Sequence, residues 1–277
     1  MKVRLWGTRG SLASPGVATV RYGGHTSCVE VRSSQGTIVV LDAGTGIQPF
    51  GATVGLEVTE LHLLLTHLHM DHLQGLGFFG ALFRPDMTVH IWGPASTTKS
   101  LREQLTRYMS PPLFPVRLRD LGCVLEIHDL AAERFSIGEL NVESDFICHP
   151  GGPTLGYRLT EAGRSMAYLP DHEPALGVRD FPESSRWTSG FGLIENVDLL
   201  IHDSQYTSEE YAARVGWGHS SYEHTTRLAK LAGVRRLVTF HHEPTHSDDV
   251  IDALHAEYEG RNPFELIRGQ EGACFEV

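Results

Sequence analysis

The sequence predicts an α/β fold in a single domain, and three observations carry that prediction. Short apolar runs recur along the chain and end again and again in His or Asp. Segments with helical spacing of apolar residues lie between them, and no Pro/Gly/Ser-rich linker divides residues 1–277. With 277 residues and 41% hydrophobic content, the chain can bury one large core.

The elements follow in order. MKVRLWG, TSCVEVR and TIVVLDAG read as early strands, the last two joined through SSQG as a hairpin. LHLLL, residues 61–65, reads as a buried strand because it is short, almost wholly apolar and followed by polar residues and glycine. LQGLGFFGALF then looks helical, and TVHIWGP is another strand. KSLREQLTRYM places Leu101, Leu105 and Tyr108 on one helical face before Pro111 and Pro112 stop it. FSIGELNVESDFICHP, LGYRLTEA, RSMAYLPD and VDLLIHDSQY are strand-like, SSYEHTTRLAKLAG is a helix, and VRRLVTFHH is expected as the closing strand. No internal repeat is visible.

Composition narrows the function. The formal net charge of −11, from 34 acidic against 23 basic residues, disfavours a broad nucleic-acid surface, since polyanions are held through Lys and Arg. Cys28, Cys123, Cys148 and Cys274 lack C-x-x-C spacing and are expected as reduced thiols. No run approaches the roughly 18 apolar residues of a membrane span, and MKVRLWGTRG has no long apolar region. A soluble, cytoplasmic protein that does not engage a membrane is the expectation.

THLHMDH, directly after LHLLL, carries the chemistry. His67 and His69, two apart in extended chain, point to one side, while Asp71 and His72 fall where the chain turns toward a helix. Any one of these could be a loop histidine or a capping Asp. Four together at one strand end point to a metal centre, because imidazole nitrogen and carboxylate oxygen are the ligands zinc, manganese and iron accept. Four further strand ends repeat the pattern: His149 in FICHPGG, Asp171 in AYLPDHEP, His202 and Asp203 in LLIHDSQ, and His241 and His242 in VTFHHEP. Strand ends at the rim of a sheet are where layered α/β proteins build their sites.

In order along the chain, THLHMDH, CHPGGPTLGYRL, MAYLPD, LLIHDSQY, GWGHSSYEH and LVTFHHEP resemble the metallo-β-lactamase-fold hydrolases. The similarity is to their phosphodiesterase branch, which contains the tRNA 3′-end endonucleases of the Z type and smaller cyclic-phosphate hydrolases. The resemblance implies a four-layer αβ/βα sandwich with two divalent metals, zinc first and manganese or iron also accepted. It implies that His67, His69 and His149 hold one metal, that Asp71, His72 and His241 hold the other, and that Asp171 bridges them. Alternatives stay open at two places: His172 could replace Asp171, which then serves only a turn, and His241 and His242 compete because adjacent strand residues face opposite sides. Asp42 in VVLDAGTG resembles the carboxylate that orients a metal-binding imidazole, or caps a glycine turn. His62 and His90 read as core or edge histidines; His25, His172, His202 and His242 receive no role.

Two cations sharing a carboxylate make a hydroxide nucleophile from a bridging water and bind oxygens of the attacked centre. Asp71 counts among the catalytic residues as well as the ligands. His219, between Gly218 and an expected capping box Ser220-Ser221-Tyr222-Glu223, sits where an anion is stabilised, with Asp203 as its orienting carboxylate. The glycines of GWGHSS suit a mobile lid. The expected function is hydrolysis of a small phosphodiester, a cyclic nucleotide first, by a protein that could form a homodimer. A tRNA 3′-processing endonuclease is the rival, although residues 172–201 leave no room for a long basic arm. A lactone or thioester hydrolase would share the metals without needing His219 and Asp203. A di-iron electron-transfer or sensor protein is the non-enzymatic alternative, and His69 stands where that branch carries Glu.

Overall fold

The computed structural model describes residues 1–277, which form two seven-stranded sheets flanked by helices. The first sheet takes β1 (Lys2–Gly7), β2 (Cys28–Arg32), β3 (Ile38–Leu41), β4 (Glu60–Leu64), β5 (Thr88–Pro94) and β6 (Val124–Leu130). The second takes β7 (Glu133–Ile137), β8 (Leu140–Phe146), β9 (Leu155–Glu161), β10 (Arg164–Leu169), β11 (Leu199–Asp203), β12 (Arg236–Phe240) and β13 (Glu265–Arg268). A last strand, β14 (Cys274–Glu276), returns to the first sheet beside β1. The helices are α1 (Ile47–Gly51), α2 (Met70–Leu73), α3 (Leu101–Tyr108), α4 (Phe191–Ile194), α5 (Ser208–Ala212), α6 (Tyr222–Leu231) and α7 (Asp248–Tyr258). None is long and apolar enough to cross a membrane.

Alternation along the strands builds the layers. In β3, Val39 and Leu41 face the second sheet while Ile38 and Val40 face α1; in β10, Met166 and Tyr168 face the first sheet while Ala167 and Leu169 face α4. Three buried apolar clusters therefore fill three spaces: helix on sheet, sheet on sheet, and sheet on helix. This is the expected four-layer sandwich.

Both sheets are laid out alike. β14-β1-β2-β3 and β7-β8-β9-β10 are antiparallel, and each is continued by three strands in parallel, β4-β5-β6 and β11-β12-β13. The fold repeats where the sequence does not, because layered packing needs matching burial, not matching residues.

The structure corrects several expectations. LQGLGFFGALF is not one helix: α2 is a single turn, followed by 3₁₀ turns at Leu76–Phe78 and Gly80–Phe83. Gly75 permits this, since a Cβ there would lie 2.1 Å from the Gly44 carbonyl oxygen. VRRLVTFHH does not close the fold, because α7, β13 and β14 follow it. β6 lacked a clear signal, being an edge strand whose Glu126, His128 and Asp129 dilute the apolar pattern.

Candidate metal centre

Two buried anchors shape the first half of the site. Asp42 ends β3 in a left-handed conformation, φ 62°, which Asp tolerates better than most residues. Its carboxylate accepts hydrogen bonds from the Thr66 amide at 2.8 Å, the Thr66 hydroxyl at 3.0 Å, the Tyr168 hydroxyl at 3.0 Å and His72 Nδ1 at 2.8 Å. Leu155 donates its amide to the Thr66 carbonyl and Tyr157 its hydroxyl to the Leu65 carbonyl, so the second sheet holds the exit of β4. His67 leaves that exit, His69 precedes α2 in extended backbone, and Asp71 and His72 lie within its single turn.

The second half contributes one residue per strand end. His149 follows β8, Asp171 follows β10, and His241 follows β12. His241 has φ 59°, so the chain has already left the strand and its ring turns into the groove. His242 turns away and donates Nε2–H to the Gly269 carbonyl at 2.9 Å. The His241 ring thus faces the groove and that of His242 does not, although strand alternation is not the cause. His172 is not at the centre; it pairs with His202 at 2.9 Å in a buried contact behind it. His25 lies against the Thr45 hydroxyl.

The structure gathers His67, His69, His149 and Asp171 in one set, and Asp71, His72, His241 and Asp171 in a second. Asp171 gives one oxygen to each. Its Oδ2 lies 3.6 Å from His67 Nε2 and 3.7 Å from His149 Nε2, while its Oδ1 lies 2.8 Å from His72 Nε2 and 3.1 Å from His241 Nε2. Asp71 Oδ2 is 3.2 Å from His72 Nε2 and 3.0 Å from His241 Nε2. Ligands about 2.0–2.1 Å from a tetrahedral cation stand roughly 3.3–3.5 Å from one another, close to these separations. His67 Nε2 is buried without a hydrogen-bond partner, a costly arrangement that a bound cation would relieve. The donor set fits two divalent metal ions.

The rings are oriented from behind. His72 donates Nδ1–H to Asp42, His149 to the Gly218 carbonyl at 2.9 Å, His241 to Gln205 Oε1 at 3.2 Å and His67 to the Thr66 hydroxyl at 3.1 Å. Each of these four therefore turns Nε2 toward the centre, whereas His69 presents Nδ1, 3.2 Å from His149 Nε2. Burial disfavours charge on His72, yet Asp171, Asp71 and Asp42 together raise its pKa well above the ordinary imidazole value. Burial likewise works against ionised Asp171, but His241, His72 and His67 hold its pKa well below the usual carboxylate range. Cation binding at these residues is therefore coupled to loss of a proton.

His219 and Asp203 meet as expected, with His219 Nδ1 donating to Asp203 Oδ2 at 2.7 Å. The His219 ring stacks on His241 with centroids 5.0 Å apart and planes at 15°, and its Nδ1 is 4.0 Å from Asp171 Oδ2. Burial opposes charge on His219, but Asp203 outweighs it by charge and hydrogen bond, and the pKa rises to about 9. Amides of His172, Gln205 and Ser220 fix Asp203 in turn. The cap is displaced by one residue from expectation: Ser221 caps α6 by accepting from the His224 amide, and Glu223 bonds Arg227 and Ser208 instead of closing a capping box.

Glu173, which the sequence reading passed over, anchors the loop before His219. Its carboxylate is buried and accepts from the amides of Gly177, Gly216 and Gly218 and from the Tyr211 hydroxyl, at 2.8–3.1 Å. GWGHSS is therefore tethered to the Glu173 carboxylate at Gly216 and Gly218. The only sequence signal was an acid two residues after Asp171.

Comparison with known proteins places this geometry in a family. The family described as "Beta-lactamase superfamily domain" matches residues 37–242, which include all seven ligand-type residues, Asp203 and His219. The chain belongs to that family. With the metallo-β-lactamase fold and this site, it is a metal-dependent hydrolase. The superfamily relative "Ribonuclease Z" of Gemmatimonas aurantiaca is 27% identical over 272 residues, covering 83% of each chain. The crystal structure of human tRNase Z, short form, superimposes with a TM-score of 0.69 at 20% identity, covering 100% of this chain and 99% of that one. A diphosphatase from the PhnP family gives 0.69 at 16% identity over 100% and 97%, a likeness of fold.

Proposed function

We propose that the chain is a binuclear metal-dependent phosphodiesterase acting on a small phosphodiester, with a cyclic nucleotide as the first substrate to test. His67, His69 and His149 would hold one ion, Asp71, His72 and His241 the other, with Asp171 shared. When bound, two such ions supply a nucleophile from water near neutral pH and offset charge on phosphoryl oxygens.

The observation that carries the reading is the His219–Asp203 pair beside Asp171. With Nδ1–H committed to Asp203, the imidazolium has Nε2–H free to donate to a phosphoryl oxygen or to the leaving oxygen. Glu173 and Asp203 fix the backbone on both sides of His219, so little reorganisation accompanies that donation. An ester or lactone carbonyl would not call for a second cationic donor at this place.

A small substrate is supported by the walls beside the centre. A 230 Å³ cavity lined by His67, His69, Gln104 and Gly151 adjoins one of 390 Å³ lined by Leu68, Met70, Tyr108, Leu113, Lys99 and Arg107. The second falls in the range of roughly 300–1,000 Å³ typical of small-molecule sites and offers a nucleoside an apolar wall with two cations, Lys99 and Arg107, and one acid, Glu103. Residues between Asp171 and β11 pack Phe181, Leu193, Ile194 and Val197 into the core instead of extending as an arm. The names of relatives favour a second reading, tRNA 3′ processing. Metal-loaded protein should be assayed against cyclic nucleotides, bis-p-nitrophenyl phosphate, a precursor tRNA and a lactone. Turnover of a cyclic nucleotide with no precursor cleavage is expected; efficient precursor cleavage would install the second reading, and turnover of the lactone alone would overturn both.

A further inference from the structure

A second convergence of imidazoles and carboxylates lies apart from the metal centre, on the face of the first sheet that looks toward the second. His62 on β4 pairs with His90 on β5, His90 with Glu126 on β6, and Trp92 with His128. From His62 to His67 is five residues, or about 16 Å along an extended chain, so the cluster is separate from the centre.

The side chains are held in a defined order. Glu60 Oε1 lies 3.2 Å from His90 Nε2, so a His90 that donates from Nε2 keeps its Nδ1 lone pair. His90 Nδ1 faces His128 Nε2 at 3.2 Å, and Glu126 Oε2 lies 3.4 Å from the first and 3.9 Å from the second. Trp92 stacks on His128, centroids 3.8 Å apart and planes at 13°, and in turn stacks on Phe135 of β7 at 4.9 Å. His128 is thus held by an aromatic wall and not free to swing away.

We propose that His90 Nδ1, His128 Nε2 and Glu126 form a third metal site, for a single late first-row divalent ion such as zinc, copper or nickel. The three separations bracket the roughly 3.3–3.5 Å expected between ligands of a tetrahedral ion at about 2.0–2.2 Å. Two imidazoles and one carboxylate select these ions over magnesium and calcium, which prefer oxygen throughout. Glu60 behind His90 completes the carboxylate–imidazole–metal relay. The Glu126 side chain is 51% exposed and His128 30%, so water reaches the fourth position. The ion would tie β6, the edge strand, to β5, and has no part in the hydrolytic step.

The test is metal stoichiometry. Chelator-stripped protein is equilibrated with micromolar free zinc, dialysed and measured by elemental analysis. Wild type is expected to hold three ions per chain, and His128→Ala and Glu126→Gln two, with turnover of bis-p-nitrophenyl phosphate unchanged. Zinc should also raise the Tm of wild type more than that of His128→Ala. A protein whose binuclear centre failed to load would still show the difference of one between wild type and variant. Equal stoichiometry in wild type and His128→Ala, whatever its value, overturns the site and leaves an ordinary His90–His128 hydrogen bond.

Discussion

The two halves of the chain build one metal centre by different means. The first half supplies His67, His69, Asp71 and His72 from a single turn of chain; the second supplies His149, Asp171 and His241 from three separate strand ends. The turn is braced by one carboxylate, Asp42, whereas the second half relies on a scattered set: Gly218, Gln205, Asp203 and Glu173. A local cluster can be set up by a few anchors. A distributed one depends on the parallel strands β10, β11 and β12 and their loops staying in register, and in return it places Asp171 between both ion sets.

The sharpest break of that comparison is at Asp171. Asp171→Ala should lose both ions by elemental analysis and drop phosphodiester turnover to background, because one of its oxygens faces each set. His149→Ala should weaken chiefly the ion shared with His67 and His69. Small, equal losses in the two variants would leave Asp171 as a turn residue only.

Next in size is the second half's own chemistry. His219→Ala should keep both ions yet lose roughly 100-fold in turnover of a natural-type diester, the scale for one acid catalyst or oxyanion donor. Asp203→Asn should lose less, keeping a hydrogen-bonding group but not the charge. The loss should shrink on a p-nitrophenyl diester, whose leaving oxygen needs little protonation. Full activity of His219→Ala at full metal occupancy would move the lactone or thioester reading ahead.

The first half should give a smaller and more local effect. Asp42→Asn disturbs the ring of His72 directly and that of His67 only through the Thr66 hydroxyl, so metal affinity should fall about 10–100-fold, the usual range for such a supporting carboxylate. The fall should be larger for the ion held by His72 than for the one held by His67. Loss of two ions would mean that Asp42 holds the whole β4 exit, and the contrast between the halves would narrow.

The same contrast explains what the sequence made legible. THLHMDH is dense enough to be read at once, and the ends of β8, β10, β11 and β12 stood out because each apolar run stops at His or Asp. The four layers came through resemblance, since alternation on both faces of a strand leaves a run looking merely apolar. Glu173 was passed over because its donors, Gly216 and Gly218, lie more than forty residues away in chain and meet it only after folding. The capping error at Ser220 has a similar origin: Asp203 takes the Ser220 amide, and the helix begins one residue later. β6 went unread because three of its seven residues, Glu126, His128 and Asp129, are polar.

The smallest expected effect lies at the seam between the halves. Glu271, in the turn before β14, accepts the His25 amide at 2.6 Å, joining the returning C-terminal segment to the loop between β1 and β2. Burial pushes its pKa up from 4.5 to about 7, against the opposing influence of that amide and Arg9. A folded value above the unfolded one means that the folded state holds the proton more tightly. The protonated form's contribution is then complete below pH 4.5 and is lost as pH rises through about 7. Glu271→Gln retains an oxygen for the His25 amide but cannot ionise. Its Tm should match wild type below pH 4.5, exceed it increasingly as pH rises from there to about 7, and hold a constant lead above that, with metal content unchanged in both. A Tm difference that stays flat across that window would show Glu271 to be fully solvated, and the seam to be held by β14 pairing with β1 alone.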